Sequence, residues 1–352
     1  MKNRASKGAV VAGFLAALAC PSFAADPVPA ARAHFLKLLE RPRVAANVQL
    51  QPPTVANGLS EIAFSYDAEK GQKVPGILVL PAKMEGKHPV VIALHGTGGK
   101  KEGELPLLRN LAGRGFIGVA IDGRYHGARA AGVPLEPGMN AYESAIYRAW
   151  SQPEPHEHPF FFDMAWDVMR LNDYLETRAD VDAGRIGIYG VSKGGIEAYL
   201  SAAADTRIAA AVPCISVESF QWAAENNSWQ PRMGTVQKVF DRAMKDAGVT
   251  TADGKFVSTF YSHIAPGIDS EFDGPSLVPL IAPRPLMAIN GALDPRTPTV
   301  GLKITTDAIQ AAYHAAKADD HFNLLIQPNT AHQVRPESEQ AGVEFLVKWL
   351  KP

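Results

Sequence analysis

Residues 190–195 read Gly-Val-Ser-Lys-Gly-Gly, a serine with glycines two before and two after it. That spacing suits a turn so tight that side chains at Gly190 and Gly194 would collide, which lifts Ser192 clear of the backbone at the start of a helix. A serine hydroxyl is a poor nucleophile near neutral pH, so acyl-transfer chemistry at Ser192 requires a base and a group to orient that base. Asp294 is the carboxylate of the loop Asn290-Gly291-Ala292-Leu293-Asp294-Pro295, and His332 ends the loop Asn329-Thr330-Ala331-His332. Both loops follow short apolar runs, so Ser192, Asp294 and His332 are the expected nucleophile, orienting acid and base.

The other histidines fit less well. His314 belongs to a helix-period segment, and His321 stands before its strand, at the wrong end of a sheet. His156 and His158 flank Glu157 in a proline-rich stretch, which reads more simply as solvated polar surface than as a metal site. Neither a metal nor an organic cofactor is expected. Acyl transfer also needs donors for a developing oxyanion. The glycine-rich bend His95-Gly96-Thr97-Gly98-Gly99 follows a strand-like run and can turn amides inward. The Thr97 amide is the expected first donor, with Gly96 and Gly98 as neighbouring registers, and the Lys193 amide is the second. The bend is not a phosphate loop, since no G-x-x-x-x-G-K-[ST] occurs, and a dinucleotide fingerprint is missing as well.

These residues must be carried by strands and helices. Eight apolar runs, at 62–66, 74–80, 90–95, 116–121, 186–189, 208–212, 285–289 and 322–326, are bounded by turn residues. The first two read as an antiparallel hairpin. Most of the later runs are apolar on both faces, as in the central strands of a parallel sheet covered by helices. Helix-period segments lie between them at 105–112, 163–178 and 196–204, and one at 338–350 closes the chain. Met164, Val168, Leu171 and Leu175 mark one face of the second. The alternation predicts an α/β class with a mostly parallel, eight-stranded, doubly wound sheet. Two stretches break it, at about 123–162 and 214–283, and are expected as cap insertions over the strand ends. Trp222 and Trp229 in the second are candidate substrate contacts, with packing inside the cap as the competing role.

Composition sets outer limits. The 352 residues carry 35 basic and 36 acidic side chains for a formal charge of −1, with 46% hydrophobic and 20% charged residues. This is globular usage with no electrostatic case for binding nucleic acid. Lys2, Arg4 and Lys7 precede an apolar run at 8–19 and the small-residue site Ser22-Phe23-Ala24, the layout of a secretory signal over 1–24. The run is too short for a membrane span. A mature chain of 25–352 would be one catalytic domain, periplasmic or secreted. It would keep Cys214 and lose Cys20, leaving no intrachain disulfide.

Taken in order, Val90–Gly99 (VVIALHGTGG), Asp122–Gly127 (DGRYHG), Val181–Ile186 (VDAGRI), Gly190–Gly195 (GVSKGG), Leu293-Asp294 and Ala331-His332 resemble the α/β-hydrolase superfamily. The closest resemblance is to its dienelactone hydrolase, acetyl xylan esterase and prolyl-oligopeptidase-like group, over about residues 60–352. The resemblance implies the α/β-hydrolase fold, Ser192 as nucleophile, Asp294 as acid and His332 as base. It also implies that the Asp122–Gly127 loop helps to shape the site through backbone and arginine contacts. Serine in place of the cysteine of dienelactone hydrolase means that lactone specificity does not carry over, and the propeller of the oligopeptidases has no counterpart here. The expected protein is a secreted serine esterase acting on a small-molecule or polysaccharide-linked carboxylic ester. A peptidase or amidase of the same fold, and a non-catalytic binding protein, are the alternatives.

Overall fold

The computed structural model describes Met1 and residues 29–153 and 156–351. Apart from Met1, the expected signal segment 1–24 lies outside the described residues. One sheet organises the rest. Its strands are β1 (Gln49–Leu50), β2 (Thr54–Ala56), β3 (Leu59–Glu69), β4 (Gln72–Leu80), β5 (His88–Leu94), β6 (Ile117–Ile121), β7 (Val181–Val191), β8 (Ile208–Cys214), β9 (Leu286–Gly291) and β10 (Phe322–Gln327). The eight apolar runs are β3 to β10. The two short strands β1 and β2 extend the antiparallel edge by pairing with β3, so the sheet has ten strands where eight were expected. Each is only two or three residues long, and the exposed Leu50 and Val55 give neither a buried-strand signature in sequence.

The order is β1-β3-β4-β6-β5-β7-β8-β9-β10, antiparallel as far as the β4–β6 pair and parallel from β6 to β10. The inner strands of the parallel part are apolar on both sides because both sides are covered, whereas the edge strand β10 leaves Leu324 and Ile326 exposed. In β5, Val90, Ile92 and Leu94 join the core on one face, while Val91 and Ala93 join the core on the other. Fully burying such a side chain is worth about 1.5–3 kcal/mol, and a one-residue register slip would exchange the two faces.

Helices supply the covers: α1 (Ala30–Leu39), α2 (Leu105–Ala112), α3 (Ala141–Ser151), α4 (Phe162–Leu175), α5 (Lys193–Ala204), α6 (Phe220–Glu225), α7 (Gln230–Met233), α8 (Gln237–Asp246), α9 (Gly254–Ile264), α10 (Gly274–Leu277), α11 (Thr299–Ala315) and α12 (Pro336–Leu350). α2 and α12 pack on one face, and α1, α4, α5 and α11 on the other. The first insertion contributes α3, whose start is held by a reciprocal cap between Asn140 and Glu143. The second contributes α6 to α10. No described helix is long and apolar enough to cross a membrane.

The chain reverses its direction of travel across the sheet at β5, leaving β6 on one side of it and β7 on the other. In an open α/β sheet the crevice at such a reversal, outside the carboxyl ends of the strands, is where ligands bind. Register aligns those ends here, with Leu94 paired to Gly190 and Val191 to Cys214. The residues that follow β5 and β7 therefore emerge side by side.

Candidate active site

Ser192 sits at the corner between β7 and α5 with φ 57° and ψ −115°. This is a strained conformation for a residue with a side chain, costing about 1–3 kcal/mol. The surroundings hold it. Its amide donates to the Cys214 carbonyl at 2.9 Å, and its own carbonyl starts the α5 ladder by accepting from Ile196 at 3.0 Å. A Cβ on Gly190 would lie 2.0 Å from the Gly194 carbonyl oxygen, and one on Gly194 would lie 2.1 Å from that of Leu94. Both glycines are thus required by backbone contact, as the motif predicts.

The structure brings Asp294 and His332 to this corner. Ser192 Oγ and His332 Nε2 are 2.7 Å apart, and His332 Nδ1 lies 2.9 and 2.8 Å from the two Asp294 oxygens. A carboxylate only accepts, so Nδ1 carries the proton and Nε2 presents its lone pair to the serine hydroxyl. The Asp294 carboxylate is fully buried and accepts from the amides of Arg296 at 2.8 Å and Thr297 at 3.3 Å. Burial lowers the pKa of His332. Asp294 opposes that shift by hydrogen bond and charge, whereas Arg232 and Arg296 add to it. The arrangement can pass a proton from the serine hydroxyl to Nε2, and the lowered pKa favours the neutral imidazole that this requires.

The two loops behind this contact are laced together. The amides of Ala292 and Leu293 donate to the carbonyls of Gln327 and Thr330, each at 2.9 Å. A Cβ on Gly291 would meet the Ala331 carbonyl oxygen at 2.2 Å, so β9 and the histidine loop touch backbone to backbone. The buried amide of Gln327 holds the chain just after His332, donating to the Gln333 carbonyl at 2.9 Å and accepting from the Arg335 amide at 2.7 Å. Gln327 escaped the sequence reading, where a polar residue closing an apolar run is a faint signal.

The 95–99 bend lies against the serine corner, since a Cβ on Gly96 would be 3.3 Å from the Val191 carbonyl oxygen and 3.7 Å from Ser192 Cβ. His95 pins the bend, with Nδ1 on the Gly96 carbonyl at 2.8 Å and Nε2 accepting from the Gly123 amide at 2.9 Å. Burial and the nearby Lys193 charge hold its pKa down to about 4, so Nε2 stays an acceptor. Lys193 is the first residue of α5, so its amide lies in the first turn next to the serine, and its buried ammonium is 2.6 Å from Glu197. Burial pushes the Glu197 carboxyl up to about 7 although the ammonium favours its ionised form. In the loop after β6, Asp122 accepts from the Lys101 amide, the Lys101 ammonium and the Ala128 amide, each at 2.9 Å. Arg124 is buried between Asp167, Asp163 and Glu69.

Thr97 opens onto a cavity of about 260 Å³ whose other walls include Tyr125, His126, Asn140, Tyr142 and Thr235. Its aromatic walls come from the first insertion. Trp229 is 7% exposed and packs on Phe240 inside the cap, and the half-buried Trp222 lies over Gly301 of α11. Neither lines this cavity. Among the described residues no group of three or more His, Cys, Asp or Glu side chains converges as metal ligands would. Glu157, between His156 and His158, takes a hydrogen bond from the Tyr125 hydroxyl at 3.2 Å.

This sheet, with its strand-end crevice, is the α/β-hydrolase fold, and the chain is a carboxylic ester hydrolase of the serine hydrolase class. A model described as acetyl xylan esterase (AXE1) matches residues 36–223, more than half of the chain, and the protein belongs to that family. A second model, described as glucuronyl esterase of fungi, matches residues 145–316. The chain is 26% identical over 306 residues to YtaP of Bacillus subtilis (strain 168), described only as a hydrolase, covering 81% of this chain and 86% of that one. Among solved structures, acetyl xylan esterase 1 from Thermoanaerobacterium sp. JW/SL YS485 aligns with a TM-score of 0.63 at 18% identity, over 92% of this chain and 95% of that one. The methylesterase BT1017 aligns with a TM-score of 0.65 at 18% identity over 91% of this chain, which spans only 63% of that longer protein.

Proposed function

We propose that the protein is an exported esterase of carbohydrate-borne carboxylic esters, working through Ser192, His332 and Asp294 in a single catalytic unit of residues 25–352. The observation that carries this reading is the continuous hydrogen-bonded line from the Asp294 carboxylate through His332 to Ser192 Oγ. Ser192 Oγ attacks the acyl carbonyl carbon while His332 Nε2 takes the hydroxyl proton. The oxyanion accepts from the Thr97 and Lys193 amides, and Asp294 stabilises the imidazolium. His332 then returns the proton to the departing alcohol as the C–O bond breaks. Water repeats the sequence on the acyl-serine, releasing the acid and restoring the hydroxyl.

Three further observations support the substrate class. The family described as acetyl xylan esterase favours an acetyl ester on a polysaccharide. The second matching model favours a uronic acid ester as the other arm to test. The cavity beside Thr97 has hydroxyl, imidazole and amide groups in its walls, suited to a hydroxylated alcohol. The cationic and then apolar start of the chain favours export.

One experiment tests these points together. Cells expressing the full chain, as wild type or Ser192→Ala, are fractionated and assayed with acetylated xylan, a methyl glucuronate ester and a peptide anilide. Acetate release confined to the extracytoplasmic fraction of the wild type is expected. The variant should be slower by about a million-fold, with unchanged far-UV circular dichroism. Retained turnover in the variant overturns the nucleophile, cytoplasmic activity overturns export, and preference for the anilide overturns the esterase reading.

A further inference from the structure

The second insertion sends one side chain back to the acid loop. Arg232, on the short helix α7, is 4% exposed, and Glu218, just beyond β8, is 1% exposed. Arg232 Nε donates to Glu218 Oε1 at 2.9 Å, and its Nη2 donates to the same oxygen. That Nη2 also donates to the Arg296 carbonyl at 2.8 Å and reaches the Thr297 hydroxyl at 3.3 Å. Arg296 and Thr297 are the residues whose amides bind the Asp294 carboxylate. One fork therefore joins the cap, the exit of β8 and the turn that aims the carboxylate at His332.

We propose that Arg232 is a positioning residue for ester hydrolysis, holding the Asp294–Thr297 turn in register with His332, and that Glu218 cancels the charge that this strut brings to the base. The proposal rests on the triad reading above. A rigid planar fork suits the task, because it binds two partners in fixed directions at a small loss of side-chain freedom. Its charge is a liability, since catalysis passes through a His332 imidazolium that an unpaired guanidinium nearby would disfavour. A buried carboxylate on the far side of the fork removes that penalty and keeps the hydrogen bonds.

The charged and titratable groups around this assembly come from several elements. Asp294, Arg296 and Arg232 face His332. Asp294 and Tyr261 act on Arg232 together with Glu218. Burial pushes the Glu218 carboxyl up, the Arg232 guanidinium favours its ionised form by charge and hydrogen bond, and Asp273 and Asp294 add to the rise. Tyr199 of α5 lies within the field of Glu218, Arg232 and Asp273.

The geometry makes the two partners separable. Arg232→Met removes both the strut and the positive charge. Turnover should fall by about a hundredfold, and the acid limb of the kcat/KM profile should move to higher pH, because the imidazolium loses a repelling neighbour. Glu218→Gln keeps a hydrogen-bond acceptor for the fork and removes only the compensating charge. Its plateau kcat should stay within about threefold of wild type, while its acid limb moves to lower pH. Arg232→Lys keeps the charge without the fork, so its limb should stay near wild type while kcat recovers only in part.

The measurement is a pH–rate profile for 4-nitrophenyl acetate with each purified full-length variant, beside its thermal unfolding midpoint. Limb shifts of opposite sign in Arg232→Met and Glu218→Gln support the proposal. Shifts of the same sign, or folded variants with wild-type profiles, overturn it. If Arg232→Met does not fold, a limb lowered in Glu218→Gln beside an unmoved limb and a reduced kcat in Arg232→Lys supports the proposal. Unmoved limbs in both, with a wild-type kcat in Arg232→Lys, overturn it. Ser192→Ala in the same assay separates the two levels. A live Ser192→Ala enzyme removes the triad reading itself, whereas a dead one beside unmoved limbs removes only the role of Arg232.

Discussion

On the side of the proposed nucleophile, the atoms that shape Ser192 belong to residues 190–196 or to strand ends in register with them. Gly190 and Gly194 are pressed against neighbouring backbone, and the Ser192 amide bonds to the end of the adjacent strand. On the acid–base side, no short segment does the same. His332 is aimed by a carboxylate 38 residues before it, Gly291 of β9 leaves room for its loop, Gln327 clamps the residues after it, and Arg232 braces the acid turn from the cap. The difference follows from what each half must do. A nucleophile needs one strained corner, which a few residues can build. An acid–base pair needs two loops held at hydrogen-bond distance, and each loop end is free to drift unless something distant ties it.

That contrast can be challenged by substitution. The largest effect is expected from Asp294→Asn, which keeps the shape of the turn but favours the wrong tautomer of His332. Turnover should fall by about ten-thousand-fold with little change in KM, measured in steady-state ester hydrolysis. A loss of only a fewfold would mean that another group orients the base. Gly291→Ala comes next, because its Cβ would displace the Thr330–Ala331 backbone and carry His332 with it. A fall of about a hundredfold in kcat is expected, with labelling of Ser192 by a fluorophosphonate slowed in parallel. Wild-type labelling would show that the corner does not depend on the histidine loop as closely as the backbone contact implies.

The smallest effect concerns pH. In the proposed mechanism the free base is the active form, so activity is expected above the His332 pKa and is lost as pH falls through it. Because burial, Arg232 and Arg296 lower that pKa against the pull of Asp294, the acid limb should lie below the ordinary histidine range. Arg296→Gln should move it upward, and by less than Arg232→Met, since the Arg296 charge acts on the imidazole more weakly than that of Arg232. A limb above the ordinary range in the wild type would mean that Asp294 outweighs burial.

Much of this was legible in the residues. The eight apolar runs became β3 to β10, and the helix expected at 105–112 is α2. Burial on both faces writes a continuous apolar signature in the inner strands, and burial of one helix face recurs as Leu107, Leu108 and Leu111 in α2. The strands β1 and β2 left no such trace. Trp229 shows the limit for side chains. An aromatic in a long insertion suits a pocket wall and a cap core equally well, and the cap core, with Phe240 against it, is where it packs. Arg232 and Glu218 carried no local mark at all, being one arginine and one glutamate in a stretch of irregular spacing.

Local chemistry announces itself when a few neighbouring residues must satisfy a steric demand, as in Gly-Val-Ser-Lys-Gly-Gly, or when successive residues must all be apolar to keep both faces of a strand dry. The chain therefore spelled out its strands, its serine corner and the candidates for acid and base. Which walls the cavity beside Thr97 has, which arginine reaches the Asp294–Thr297 turn and how far the imidazole's pKa falls depend on distances between segments remote along the chain. Electrostatic and hydrogen-bond energies change steeply over those few ångströms, and only the folded arrangement sets them.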